Sequence, residues 1–306
     1  MIHAPASRRP LLWGTTMILG AALGGQGLMA TPAEADRLLD EPTAVSGYTY
    51  VERVSKLDST SSRSVSAPCP SGKVVLAGGA RIVGGGQRVL LRGTHPSVSS
   101  SRHTWSASAQ EVSGGTRARW YVRAYAVCAA KPAGLVHRQA SSKLDSGSPK
   151  SAATRCRAGT RLIGLGARVV GADHRVGVNS VTASRGLTSS SARAGEAVST
   201  PLRWAVISYS VCAKPLQQVL RESAWKSVTG AAQSQTAFAR CPLGSRAYGT
   251  GVQISGTVST LNRLVPVALH PTRIPPVPAG GRATVSELAP GTPSTWHLKA
   301  QIICIR

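Results

Sequence analysis

Acidic side chains are scarce in this chain. Twelve Asp and Glu stand against 36 Lys and Arg, a net charge of +24 at neutral pH. That imbalance favours anionic partners. It also argues against a two-carboxylate glycosidase, which needs a facing pair of acids. Aromatics make up 4% of the residues, and Phe occurs once, at Phe238. The longest apolar run falls short of the ~20 residues that a membrane-crossing helix needs, so no span is expected. There is no C-x-x-C and no His at ligand spacing, so neither a metal nor another cofactor is expected. Phosphate-loop, dinucleotide, zincin and nucleophile-elbow motifs are also missing. No catalytic residue is nominated, and the chain does not read as an enzyme.

The first 35 residues read as a signal peptide. Arg8 and Arg9 form a positive n-region, Leu11 to Leu23 a short apolar stretch, and Ala33-Glu34-Ala35 a cleavage site. Ser7-Arg8-Arg9-Pro10-Leu11-Leu12 resembles a twin-arginine signal, but Trp13 stands where a basic residue is usual. Sec export is preferred, and the expected location is secreted or extracellular. Losing Arg8, Arg9 and Glu34 leaves a net charge of +23. The Arg residues are scattered singly, which fits a diffuse positive surface and not a specific nucleic-acid groove. GC-rich codon usage accounts for part of the Arg excess over Lys, but it does not account for the shortage of acids.

What the chain does have is repetition. WYVRAYAVC (120–128), WAVISYSVC (204–212) and WHLKAQIIC (296–304) each place a Trp eight residues before a Cys. First cysteines Cys69, Cys156 and Cys241 open CPSGKVVLAGGARIVG, CRAGTRLIGLGARVVG and CPLGSRAYGTGVQISG. Gly79, Gly166 and Gly251 recur ten residues after the Cys, and a Glu recurs sixteen or seventeen before the second one, as Glu111, Glu196 and Glu287. Such self-similarity marks three copies of one unit. The domain reading is a signal peptide over 1–35, a flexible segment over 36–47 and β-repeats over 48–132, 133–215 and 216–306. A copied disulfide must lie inside the copied unit. The pairing is therefore Cys69–Cys128, Cys156–Cys212 and Cys241–Cys304. Each bond closes a loop of about sixty residues, worth about 4 kcal/mol in the chain-entropy model, and needs an oxidising compartment.

Gly and Ser turns between short Val- and Thr-rich runs predict an antiparallel all-β fold, with four or five strands per unit. Leu216–Lys226 is the best helical candidate. In the repeated nonapeptide the Trp and Cys are eight apart, so a strand points both to one face. That face carries small and apolar residues and reads as core, with Trp120, Trp204 and Trp296 packed near the disulfides. Charge appears only on the other face. Two layouts fit: three small sandwiches in series, or three sheets about a pseudo-threefold axis as in a β-prism.

The stretches CPSGKVVLAGGARI (69–82) and WYVRAYAVCA (120–129) resemble repeat units in secreted proteins of GC-rich Gram-positive bacteria, and more distantly the Gly-rich repeats of prism-type proteins. The resemblance implies fold and secretion. Unit three departs from it, with Gln253 in place of the Arg and a longer middle, RIPPVPAGG (273–281).

Arg81 and Arg168 with Glu111, Glu196 and Glu287 are the candidate polar site for sugar hydroxyls. The competing reading makes each Glu a structural partner of an Arg or a cap on strand-end amides. His95-Pro96 and His270-Pro271 read as turn residues, Asp58 and Asp145 as loop residues, and Trp105 as core, with a surface contact as its alternative. The functional expectation is a secreted, non-enzymatic protein that binds cell-wall polymers, acidic glycans or other polyanions. The alternatives are a self-assembling matrix component and, behind it, a secreted hydrolase or inhibitor.

Overall fold

The computed structural model describes residues 45–230, 234–272 and 279–306. The expected signal peptide and most of the segment over 36–47 lie outside the described residues. Unit one carries β1 (Thr49–Val54), β2 (Ser62–Pro68), β3 (Val74–Gly84), β4 (Val89–Val98), β5 (His103–Glu111) and β6 (Trp120–Ala129). Unit two repeats the series as β7 (Val136–Ser141), β8 (Lys150–Arg155), β9 (Arg161–Gly171), β10 (Val176–Ala183), β11 (Ser189–Glu196) and β12 (Trp204–Ala213). Unit three supplies β13 (Gln218–Glu222), β14 (Lys226–Val228), β15 (Ser234–Arg240), β16 (Arg246–Ser255), β17 (Leu264–Thr272), β18 (Gly280–Glu287) and β19 (Trp296–Ile305). Among the described residues the helical content is one turn, Val258–Leu261, and one 3-10 turn, Asp173–Arg175. The chain is all-β, and the three disulfides pair as the duplication requires.

The strands form three antiparallel sheets, and every sheet crosses a unit boundary. Sheet A runs β1-β6-β3-β17-β18-β15, sheet B runs β2-β5-β4-β9-β12-β7, and sheet C runs β13-β19-β16-β10-β11-β8. Units one and two each give three strands to one sheet and three to another, and unit three gives three to sheet A and four to sheet C, where β14 pairs with β19 beside β13. The set closes in a cycle, with the first unit joined to the third at β3–β17. Separate sandwiches in series are not what forms. At each seam only one or two residues pair: Arg81 and Ala80 with Ala268 and Leu269, Arg168 and Ala167 with Gly93 and Thr94, and Val252 with Val181. Gly79, Gly166 and Gly251 lie next to these pairs. A Cβ on them would fall 2.2, 2.4 and 2.8 Å from a carbonyl oxygen of the crossing strand. The recurring Gly is therefore a close-approach residue.

A bulge interrupts the pairing near the start of each of β3, β9 and β16. It lets Leu76, Ile163 and Tyr248 leave the ladder, and all three are fully buried. The bulges meet one another, since a Cβ on Gly164 would sit 2.1 Å from the Leu76 carbonyl oxygen and one on Gly249 2.9 Å from that of Ile163. Burying a side chain of this size contributes about 1.5–3 kcal/mol, so this shared core holds the three units together.

The Cys face of the nonapeptide is core, as parity predicts: Trp120, Trp204 and Trp296 are inaccessible to solvent. The opposite face is covered more than alternation suggests, and Tyr125, Val127, Val211, Gln301 and Ile303 are also buried. Trp105 is core too. The matching positions opposite Pro96, Ala183 and Pro271 hold Trp105, Ser190 and Gly281, so bulk shifts from unit to unit. Trp105 lies over Gly78, whereas Gly281 lies under Thr250 and Ile302. Ser190 instead bonds Ser208 and Ser210 at 3.1 and 2.8 Å. Each neighbour compensates for the volume, as close packing demands.

Four local expectations are corrected. Units hold six or seven strands, because the short edge strands lack a clear apolar alternation. Leu216–Lys226 is no helix: β13 and β14 pair with β19 and cover its otherwise open edge. The His-Pro pairs lie within β4 and β17, just past the seam contact, where the missing Pro N–H has no crossing strand to serve. Asp58 and Asp145 bridge to the repeated strand, their carbonyls accepting from Trp120 and Trp204 N–H at 2.9 and 2.8 Å.

Candidate functional site

The five polar residues singled out by the repeat separate into two places. The three Glu point inward. The indole N–H of Trp120 donates to Glu111 Oε1 at 2.8 Å, that of Trp204 to Glu196 at 3.0 Å and that of Trp296 to Glu287 at 2.8 Å. The other carboxylate oxygen accepts the backbone N–H of Thr116, Thr200 or Thr292 at 3.0–3.1 Å. Each Glu thus satisfies a buried Trp and caps the loop that leads into its strand. The amide-capping role holds, and these carboxylates do not share a pocket with Arg81 or Arg168.

Arg81 and Arg168 lie at the seams of sheets A and B. At the sheet A seam a cleft of about 280 Å³ opens between strands of units one and three. Arg81 on β3 pairs in register with Arg123 on β6, and Arg282 on β18 pairs with His270 on β17. Tyr125 stacks on His270 with ring centres 4.2 Å apart, and the Arg81 guanidinium lies beside the Tyr125 hydroxyl. Tyr50 and the sole Phe, Phe238, complete the apolar wall. Tyr50 donates to the Pro271 carbonyl at 2.6 Å, across 221 residues of sequence. The one carboxylate, Glu52, accepts from Arg123 at 2.9 Å.

Burial, reinforced by Arg81, Arg282 and Arg123, pushes His270 down to about 4, against a partial opposing pull from its bond to Pro271. The ring is neutral at pH 7. Its Nδ1 lies 2.9 Å from the Pro271 carbonyl. A carbonyl only accepts, so Nδ1 carries the proton and Nε2 is an acceptor. Burial likewise raises Tyr50 and Tyr125, which stay neutral. Among the described residues, the fixed charge lining this cleft is three guanidiniums against one carboxylate.

Sheet B keeps the stack, His95 on Tyr209 at 4.8 Å beside Arg168. At its seam, however, Ile207 and Ser106 stand where sheet A has Arg123 and Arg282. Sheet C loses the stack, with Gln301 and Thr182 at those positions and Gln253 in place of the Arg. There Glu222 accepts from Lys299 at 2.8 Å and Gln301 at 2.7 Å, and Lys299 lies over exposed Trp225. The sequence signals that could have found the shared stack are Tyr125 and Tyr209, three residues before a Cys, and the two His-Pro pairs, which read as turns. Arg123 and Arg282 carry no repeat signal, because the other copies lack them.

No protein-family model matches the chain, and no curated protein matches it. Among the described residues, no helix is long and apolar enough to cross a membrane.

Proposed function

We propose that this protein is exported and binds anionic polysaccharide at the cell surface without catalysing a reaction, with the sheet A cleft as its principal contact. The observation that carries this reading is the gathering of Arg81, Arg123 and Arg282 around a hydroxyl-accepting His270. A net charge of +23 without the signal segment adds long-range attraction. Three disulfides suit an oxidising compartment, in keeping with the signal-like start and the resemblance to secreted repeat proteins. The repeated carboxylates are occupied by indole and amide groups, which supports binding over hydrolysis.

Oxidised protein should be retained on purified, polyanion-bearing cell wall at low salt and released as salt rises. Absence of retention at low ionic strength on wall, acidic glycan and synthetic polyanion alike would sink the proposal.

A further inference from the structure

The seams place equivalent residues on all three sheets, so each position can be read in triplicate. At the position facing the stacked ring on the edge strand, sheet A has Glu52, sheet B Gln139 and sheet C Glu222. Arg81 and Arg123 in A correspond to Arg168 and Ile207 in B and to Gln253 and Lys299 in C. Arg282 corresponds to Ser106 and Ser191. Among the described residues three guanidiniums line only the A cleft. In A Glu52 pairs with Arg123 and in C Glu222 with Lys299, which leaves Arg81 and Arg282 in A and Arg185 in C; in B Arg168 lies beside the stacked rings and Arg138 lines the adjoining pocket.

Two polar atoms of residues that line the A cleft, both closed off from water, have no partner among the described residues: His270 Nε2 and Arg123 Nε. His270 is 6% exposed. One atom is an acceptor and the other a donor, and leaving such groups unmatched in a buried setting costs about 1–3 kcal/mol each. A ligand that satisfies both must bring an anionic acceptor and a hydroxyl donor. Sulfate supplies only the first and a neutral sugar lacks the charge. The cleft, about 280 Å³, lies at the small end of ligand pockets and suits one ring. Guanidinium forks match a planar carboxylate, and Tyr50 and Phe238 offer apolar surface to the ring.

We infer that the sheet A cleft is a single-copy site for an acidic sugar unit, with its carboxylate on Arg81, Arg123 and Arg282, a hydroxyl on His270 and its ring against Tyr50 and Phe238. This rests on the polysaccharide-binding reading and narrows it: recognition is univalent per chain, not threefold.

The test is a titration of the oxidised full chain with glucuronate, followed by calorimetry and by the His270 imidazole NMR signals. One site per chain is expected, with saturable shifts at His270 and Tyr125. Glucose and inorganic phosphate should bind at least tenfold more weakly. Arg282→Ala, at an exposed position, should weaken glucuronate tenfold or more, Arg282→Lys less, and Arg157→Ala, an equal loss of charge elsewhere on the surface, not at all. Unsaturable or absent shifts, phosphate as strong as glucuronate, three equal sites, or equal losses from Arg282→Ala and Arg157→Ala would each overturn the assignment. Retention on cell wall that survives such a failure leaves polysaccharide binding standing and removes only this site. Loss of both removes the function as well.

Discussion

The buried Trp–Glu pairs and the seam clefts lie on the same strands of the same three units, yet one is repeated unchanged and the other has diverged. Each Trp indole meets a Glu at 2.8–3.0 Å, and each Glu caps a Thr amide five residues on in units one and three and four on in unit two. The clefts share their place at the seams, and those of sheets A and B also a His–Tyr stack beside one Arg. Sheet A gathers three arginines and one glutamate, sheet B has Arg168 beside a stacked pair with Arg138 at the pocket wall, and sheet C has a Lys–Glu pair with Arg185. Inside, an indole N–H without its carboxylate would be an unmatched buried donor in any copy, so no copy can drop it. Outside, a seam residue that changes still finds water, and the copies are free to differ. What is the same three times serves folding; what differs is where a ligand would be read.

The largest effect should come from the interior. Trp120→Ala is expected to cost about 3–5 kcal/mol in denaturant unfolding, and Trp204→Ala and Trp296→Ala the same. A loss below 1 kcal/mol in one copy would break the equivalence. Glu111→Ala, which strands the indole N–H and the Thr116 amide, should cost about 2–4 kcal/mol. Glu111→Gln, which keeps an acceptor, should cost clearly less, and a Gln variant as damaging as Ala would mean that charge, not hydrogen bonding, is what the site requires.

The next prediction concerns pH. His270 takes up a proton near 6.5 when unfolded but only at about 4 when folded. Between those values the unfolded chain holds more protons, so stability must fall as pH drops from about 6.5 to about 4 and level off below. The loss should reach on the order of 3 kcal/mol, and His270→Gln should remove that part of the slope. Burial lowers His95 and His137 in the same direction, so some slope remains in the variant. Denaturant titrations at a series of pH values check this; identical slopes in both proteins would contradict it. The smallest stability effect belongs to the cleft rim: Arg282→Ala should shift unfolding by no more than about 0.5 kcal/mol while weakening the acidic ligand. A large destabilisation there would erase the distinction between the two regions.

Much of the fold was legible because repetition adds information that local propensity lacks. The cysteine pairing, the inward face of Trp120–Cys128 and the recurrence of Gly79 all follow from comparing copies. Local readings without that support fared worse. Leu216–Lys226 looks helical by itself, yet β19 needs an edge partner and takes it as strand. His95-Pro96 looks like a turn, yet the strand continues past the seam. The candidate site was half legible. Arg81 was found through its counterpart Arg168, and the Glu series through its spacing, but the Glu turned out to serve the Trp. Arg123 and Arg282 were invisible because the other copies lack them, whereas His270 has a counterpart in His95, whose ring makes the same bond to its following Pro carbonyl, but the His-Pro pairs read as turns.

The sequence by itself determined the unit, its three disulfides, its strand character and its cationic balance, all of which depend on residue type and spacing within one copy. Only the tertiary structure decided that the units share one core and that the first and third close upon each other. That closure brings Tyr50 to within 2.6 Å of a carbonyl 221 residues away and gathers the arginines of two units into one cleft. The physical reason is that seam pairing depends on which strand edges remain open after each unit has folded. An open edge is a property of the assembled sheet and not of any one stretch of residues.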